Sequence, residues 1–97
     1  MNDIIQTKGE YRVGTSFNPS ADSAVDRVKT AAAALIDLLD ELVPQKGAVT
    51  SEEITQQGER MRLKALAQTH IEDGAMWAVK SITKPVPTYG GPKERLA

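Results

Sequence analysis

The stretch NPSADSAVDRVKTAAAALIDLLDELV, Asn18 to Val43, decides the fold. Asn18 is a good helix N-cap, and Pro19 suits the first helical position, where no N–H is needed. Asp22 adds negative charge near the positive helix end. The apolar residues Ala21, Val25, Val28, Ala32, Leu35, Leu39 and Leu42 follow at alternating spacings of four and three. That is the seam of helices packed lengthwise. Ala31, Ile36, Leu38 and Val43 widen it, and Pro44 closes the helix. Residues 44–50 hold Pro44, Lys46 and Gly47 and read as a connection.

A second helix follows. Thr50-Ser51-Glu52-Glu53 fits a capping box, in which the Thr50 side chain meets the Glu53 N–H and the Glu53 side chain returns. The helix is expected to run to about Lys84, with a weak point at Gly58 where it can break and restart near Glu59, and Pro85 ends it. Leu63, Ala67, Ile71, Gly74, Ala78 and Ile82 form one stripe. Met61, Ala65, Ala75 and Val79 form another, and Leu66, Met76 and Trp77 fall outside the first. A helix apolar on several sides is buried on several sides, more than one partner helix covers. The pattern therefore predicts an oligomer.

The flanks say less. Residues 1–17 read as an N-terminal arm, in which residues 8–13 are compatible with a strand, a short helix or an ordered arm. Residues 85–97 read as an extended or disordered tail, with Tyr89 as a possible anchor. The domain plan is thus an arm over 1–17, a helical hairpin over 18–84 and a tail over 85–97. The expected fold is all-α: a short N-terminal arm or helix, then a long antiparallel hairpin, assembling into a symmetric oligomer.

Composition narrows the function. The 97 residues fit one domain, and one Trp, one Phe and two Tyr make a thin core. The chain has no Cys and one His, so it has no disulfides, no thiol chemistry and no His-based metal site within one chain. Twelve basic against thirteen acidic residues is not the balance of a nucleic-acid binder. No apolar run reaches the ~20 residues of a membrane span. The opening residues lack the basic flank of a signal peptide. These features predict a cytoplasmic protein with no membrane and no nucleic-acid polymer as partner.

Few residues suggest chemistry. Asp37, Asp40 and Glu41 cluster late in the first helix, where a solvated face is the plain reading and a cation or acid–base site the alternative. His70 reads as structural. No Gly-rich phosphate loop or nucleophile elbow is present, so no enzyme and no cofactor are expected. Arg60, Arg62 and Lys64 give the second helix a basic patch. Residues 59–84 carry five bases and three acids, and residues 18–43 two bases and five acids, so the helices can pair by charge. Alternatively, if the arm folds back over the first helix, the Tyr11 ring and the cations Arg12 and Lys29 converge. An aromatic face stacks on a nucleobase while a cation meets phosphate.

RLKALAQTHIEDGAMWAVKSITKP, residues 62–85, together with Gly9-Glu10-Tyr11-Arg12 and Asp26-Arg27-Val28-Lys29, resembles a family of small phage proteins. These are the anti-CBASS nucleotide sponges, whose hairpin is shared with sponges acting against the Thoeris system. The matching steps are Ala67-Gln68-Thr69-His70, Gly74-Ala75-Met76 and Lys80 to Pro85. The resemblance implies a protein that sequesters cyclic di- or trinucleotide messengers without turnover, in symmetric homo-oligomers, often hexamers. It implies a stacking role for Tyr11, with Arg12 beside it, and a phosphate contact for Lys29. A second site on a threefold axis would use Arg62 and Thr69. Two departures stand out: Gln68 where an Arg is frequent, and a longer spacer between Tyr11 and Lys29. The alternative is a structural or adaptor oligomer that binds no nucleotide.

Overall fold

The computed structural model describes residues 5–88. Three helices carry the described chain: α1 (Lys8–Val13), α2 (Ser23–Leu42) and α3 (Ser51–Thr83). No strand occurs among the described residues. At the standard rise α2 is about 30 Å long and α3 about 50 Å.

The arm contains a helix. Thr7 and Glu10 form a capping box, with Glu10 N donating to Thr7 Oγ1 at 3.1 Å and Thr7 N to Glu10 Oε1 at 2.9 Å. Gly14 ends α1 in the left-handed region (φ 76°), which only Gly adopts freely. Gly9 is buried against α2, so closely that a Cβ there would lie 2.1 Å from the Ala33 carbonyl oxygen. Its N–H donates to Asp37 Oδ1 at 2.7 Å. Glycine is therefore what lets α1 lie on α2.

The first long helix starts later than its sequence suggests. Asn18 and Pro19 belong to a turn, not to a helix start. Ala21 has φ 59°, a conformation that costs a non-Gly residue roughly 1–2 kcal/mol and interrupts the helix. Asp22 is the actual N-cap, its Oδ1 accepting from Ala24 N at 2.8 Å. Asn18 instead braces the turn, donating to Asp22 O and Asp26 Oδ1. The Thr50–Glu53 capping box forms as expected, and α3 runs unbroken through Gly58. Residues 85–88 are exposed and without regular structure. Tyr89, expected as an anchor, lies outside the described residues.

The helices α2 and α3 form an antiparallel hairpin, but its seam is not the one with the most apolar residues. Val25, Lys29, Ala33 and Ile36 are the buried positions of α2. The expected seam residues Val28, Ala32 and Leu39 are half-buried, while Leu35 and Leu42 are exposed. On α3 the least exposed residues recur at 57, 61, 64, 68, 71, 75, 78 and 82, again alternating four and three. Leu63, Leu66, Met76 and Trp77 point to solvent in the single chain.

Polar groups hold the middle of this seam. Gln68 is 2% exposed. Its Nε2 donates to Ile36 O at 3.0 Å and to Asp40 Oδ1 at 2.9 Å, and its Oε1 accepts from Lys8 Nζ at 3.2 Å. Asp40 also pairs with Lys8 at 3.0 Å and with Lys64 at 3.2 Å. Lys64 Nζ donates to Val43 O at 3.0 Å, satisfying a carbonyl at the end of α2. Neither Asp37 nor Asp40 belongs to a merely solvated face. The apolar core is small, with Val25, Ala33, Ile36 and Ala75 buried. The radius of gyration, 19.8 Å, far exceeds the roughly 13 Å of a globule of about 100 residues.

Candidate functional site

The loop between α1 and α2 is wrapped around one ammonium group. Phe17 N donates to Gly14 O at 3.0 Å, closing a turn. The carbonyls of Gly14 and Phe17 then both accept from Lys29 Nζ, the first at 3.1 Å. The Phe17 ring lies over the same nitrogen, 5.5 Å from centroid to Nζ. Lys29 is 9% exposed and pairs with no carboxylate among the described residues. A desolvated cation that holds only neutral acceptors remains electrically uncompensated.

Lys29 lines the larger of two adjoining concavities. The first, of about 570 Å³, lies between the α1–α2 loop and the C-terminal half of α3. Arg12, Val13 and Phe17 line it from the α1 side, Lys29 from α2, and Thr69, Asp73, Met76 and Val79 from α3. Its volume falls within the range of small-molecule sites. The second, of about 250 Å³, shares Phe17, Lys29 and Val79 with the first.

Arg12 is held by Glu72. Its Nε donates to Glu72 Oε1 at 2.9 Å, and its Nη2 lies 2.8 Å from the same oxygen. The pair fixes the guanidinium at the cleft and leaves donors unused, since a guanidinium carries five. Thr69 and Asp73 stand one turn apart on α3, on the same helix face. Neither side chain has a hydrogen-bond or ion-pair partner among the described residues. Both are exposed.

Three of the five residues expected at a site therefore meet in one cleft: Arg12, Lys29 and Thr69. Tyr11 does not line it. That residue is 76% exposed on the adjoining flank of α1. Arg62 is also elsewhere, two turns before Thr69 and exposed. It pairs with Glu59 through Nε at 3.0 Å and Nη2 at 2.6 Å. That pair raises the Arg62 pKa and lowers the Glu59 pKa, through the shared hydrogen bonds first. The arm folds back and the cations converge as the sequence suggests, but the ring beside them is Phe17. The turn from Gly14 to Phe17, closed around Lys29, is what brings it there. As the lone Phe beside Asn18 and Pro19, it has no periodic pattern to mark it. Glu72, Asp73 and Met76 were also missed as cleft residues, although they fall at helical spacing from Thr69.

Gln68 serves the fold. Its amide points into the α2–α3 seam, where Nε2 donates twice and Oε1 accepts once. His70 is exposed. Among the described residues, no group of three or more His, Cys, Asp or Glu side chains is disposed to hold a metal ion. No described helix is long and apolar enough to cross a membrane.

The comparisons agree with the hairpin. The family model described as the Acb2/Tad1 hairpin domain matches residues 10–83. No curated protein and no solved structure matches the chain. The matched span runs from α1 to the end of α3 and so contains the whole cleft.

Proposed function

The chain belongs to the Acb2/Tad1 hairpin family, that of the anti-CBASS and anti-Thoeris nucleotide sponges, and from that premise we propose that it sequesters cyclic di- or trinucleotide immune messengers. It binds them without turnover, in the cytoplasm of the bacterial host, and so keeps CBASS-type signalling silent. One observation carries this reading. Lys29 is buried at a cleft without a carboxylate partner, and an anionic ligand supplies the missing charge. A phosphate at Lys29 accepts a hydrogen bond from the remaining N–H of the ammonium. Arg12 adds a second positive group at the same cleft. Charge-assisted hydrogen bonds contribute about 1.5–3 kcal/mol each, so a few of them account for tight sequestration.

Assembly belongs to the same proposal. The Leu35, Leu38 and Leu42 flank of α2, and Leu63, Leu66, Met76 and Trp77 of α3, remain exposed in the single chain. Copies of the chain cover these faces in a symmetric oligomer, with a hexamer as the expected order. In it Tyr11 is free to reach the cleft of a neighbouring copy. Arg62 and Thr69, seven residues apart and thus on one face of α3, furnish a second site between copies.

Native mass spectrometry, with and without a panel of cyclic di- and trinucleotides, tests both parts. The expected result is one defined oligomer gaining whole numbers of one nucleotide. Lys29→Ala or Tyr11→Ala keeps the oligomer and loses the ligand. An oligomer that takes up no nucleotide overturns the sponge and leaves a structural or adaptor bundle.

A further inference from the structure

We propose that the cleft reads a guanine base, with the Phe17 ring as the stacking surface and the Asp73 carboxylate as the acceptor for the base's N1–H and N2–H donors. This assignment rests on the nucleotide-binding reading above and specifies which base that site takes.

The ring comes first. Phe17 is 68% exposed, yet it is not loose. The turn hydrogen bond to Gly14 fixes its backbone, and Lys29 holds its carbonyl. A large apolar ring held at the surface, lining two adjoining concavities, is a preformed stacking platform. The Lys29 ammonium lies over one face of the ring, 5.5 Å from its centroid, which leaves the other face for a base and places the cation within one nucleotide's reach of it. The ring and the cation thus suit the two parts of one nucleotide.

The carboxylate then selects among bases. Glu72 is engaged by Arg12, whereas Asp73 has no partner among the described residues. An ionised carboxylate accepts hydrogen bonds and donates none. Guanine presents two adjacent donors, N1–H and the N2 amino group, which match two carboxylate oxygens. Adenine places its N1 acceptor beside its amino donor, and cytosine does the same with N3. Uracil offers one donor between two acceptors. A negative group in a cleft for an anion weakens phosphate binding unless it earns a contact of its own, and guanine makes the best one. Discrimination of this kind works by rejection as well as attraction.

Isothermal titration with cyclic di-GMP and cyclic di-AMP tests the assignment on the wild-type protein, Asp73→Asn, Phe17→Leu and Phe17→Tyr. Asp73 and Phe17 are exposed, and circular dichroism checks that each variant keeps its helices. The wild type is expected to bind cyclic di-GMP at least about tenfold tighter than cyclic di-AMP. Asp73→Asn loses that preference by weakening the guanine ligand, while the adenine ligand binds as tightly or more tightly once the negative charge is gone. Phe17→Leu weakens both ligands by roughly 5- to 150-fold, the range for losing one stacked base, and Phe17→Tyr restores them. Equal binding of the two ligands, or a preference that survives Asp73→Asn, overturns the guanine assignment and leaves the nucleotide reading standing. Failure of the wild type to bind either of these or any cyclic trinucleotide overturns both.

Discussion

Two lysines, Lys29 and Lys64, sit at opposite ends of the α2–α3 contact, and both are largely withdrawn from water. The Lys64 side chain is 15% exposed and shares Asp40 with Lys8, while Gln68 supplies further hydrogen bonds. Its charge has a carboxylate partner within the chain, one that Lys8 shares. Lys29 is buried as deeply but holds only two backbone carbonyls. A buried charge is costly unless it is paired, and here the pairing is supplied at one end and missing at the other. The balanced end holds the hairpin together, and the unbalanced end is where an anion has most to gain.

Gly9→Ala breaks both ends together and is expected to have the largest effect. The new Cβ meets the Ala33 carbonyl, which is backbone and cannot rotate away. To relieve the clash α1 must lift from α2. Lys8 then leaves Asp40, and Arg12 leaves Glu72. Overpacking of this kind costs about 1–3 kcal/mol, and the lost ion pairs add to it. Urea unfolding should show a clearly lower midpoint, with nucleotide binding lost even where the helices persist. An unchanged midpoint would mean that α1 does not dock through Gly9.

How much of this was legible in the sequence depended on where the polar residues fall. The Thr50–Glu53 box was readable because a long helix follows it. Thr7–Glu10 has the same spacing, but the six-residue helix it starts includes Gly9, which reads as a helix breaker. The hairpin was readable and its seam was not. Lys29, Asp40, Lys64 and Gln68 occupy seam positions, so hydrophobicity pointed to the neighbouring stripe with Leu35 and Leu42. That stripe is real, but it lies on the flank left exposed in the single chain. At the site, Arg12, Lys29 and Thr69 followed from the arm–helix argument and from resemblance. Phe17 depends on how the Gly14 turn closes around an ammonium, a tertiary event that local pattern does not record.

A paired substitution sharpens the lysine comparison at intermediate cost. Lys64→Met removes one partner of Asp40 and the donor to Val43 O, so it should destabilise the chain by about 1–2 kcal/mol. Lys29→Met also loses two hydrogen bonds, to Gly14 O and Phe17 O. It relieves an uncompensated charge at the same time, so its net change should stay within about 1 kcal/mol. The response to anions should reverse this order. Pyrophosphate should raise the Tm of the wild type and of Lys64→Met and leave Lys29→Met unmoved. Equal losses of stability, or a normal pyrophosphate response in Lys29→Met, would erase the distinction between the two ends.

The smallest effect concerns the balanced end and appears only in acid. Asp40 has its pKa lowered to about 2, first by the hydrogen bond from Gln68 and then by Lys8 and Lys64, against a partial opposing effect of burial. A carboxyl whose folded pKa is depressed favours the folded state when ionised. Its contribution is complete above about pH 4, the ordinary range of the group, and disappears as the pH falls through about 2. The side chain is 34% exposed, so solvent screening reduces the contribution to roughly 1 kcal/mol. Glu53 and Glu59 also have lowered pKa values, so the total stability of the chain in acid does not report on Asp40 by itself. The informative quantity is therefore the difference between the wild type and Asp40→Asn. That difference in urea midpoint should be largest at pH 5 and should shrink by pH 2. Asn cannot pair with Lys8 or Lys64 at any pH, so it sets the level to which the wild type falls. A difference that stays constant from pH 5 to pH 2 would place the stabilising role of this network in hydrogen bonding alone, and the charge balance that separates Lys64 from Lys29 would lose its energetic basis.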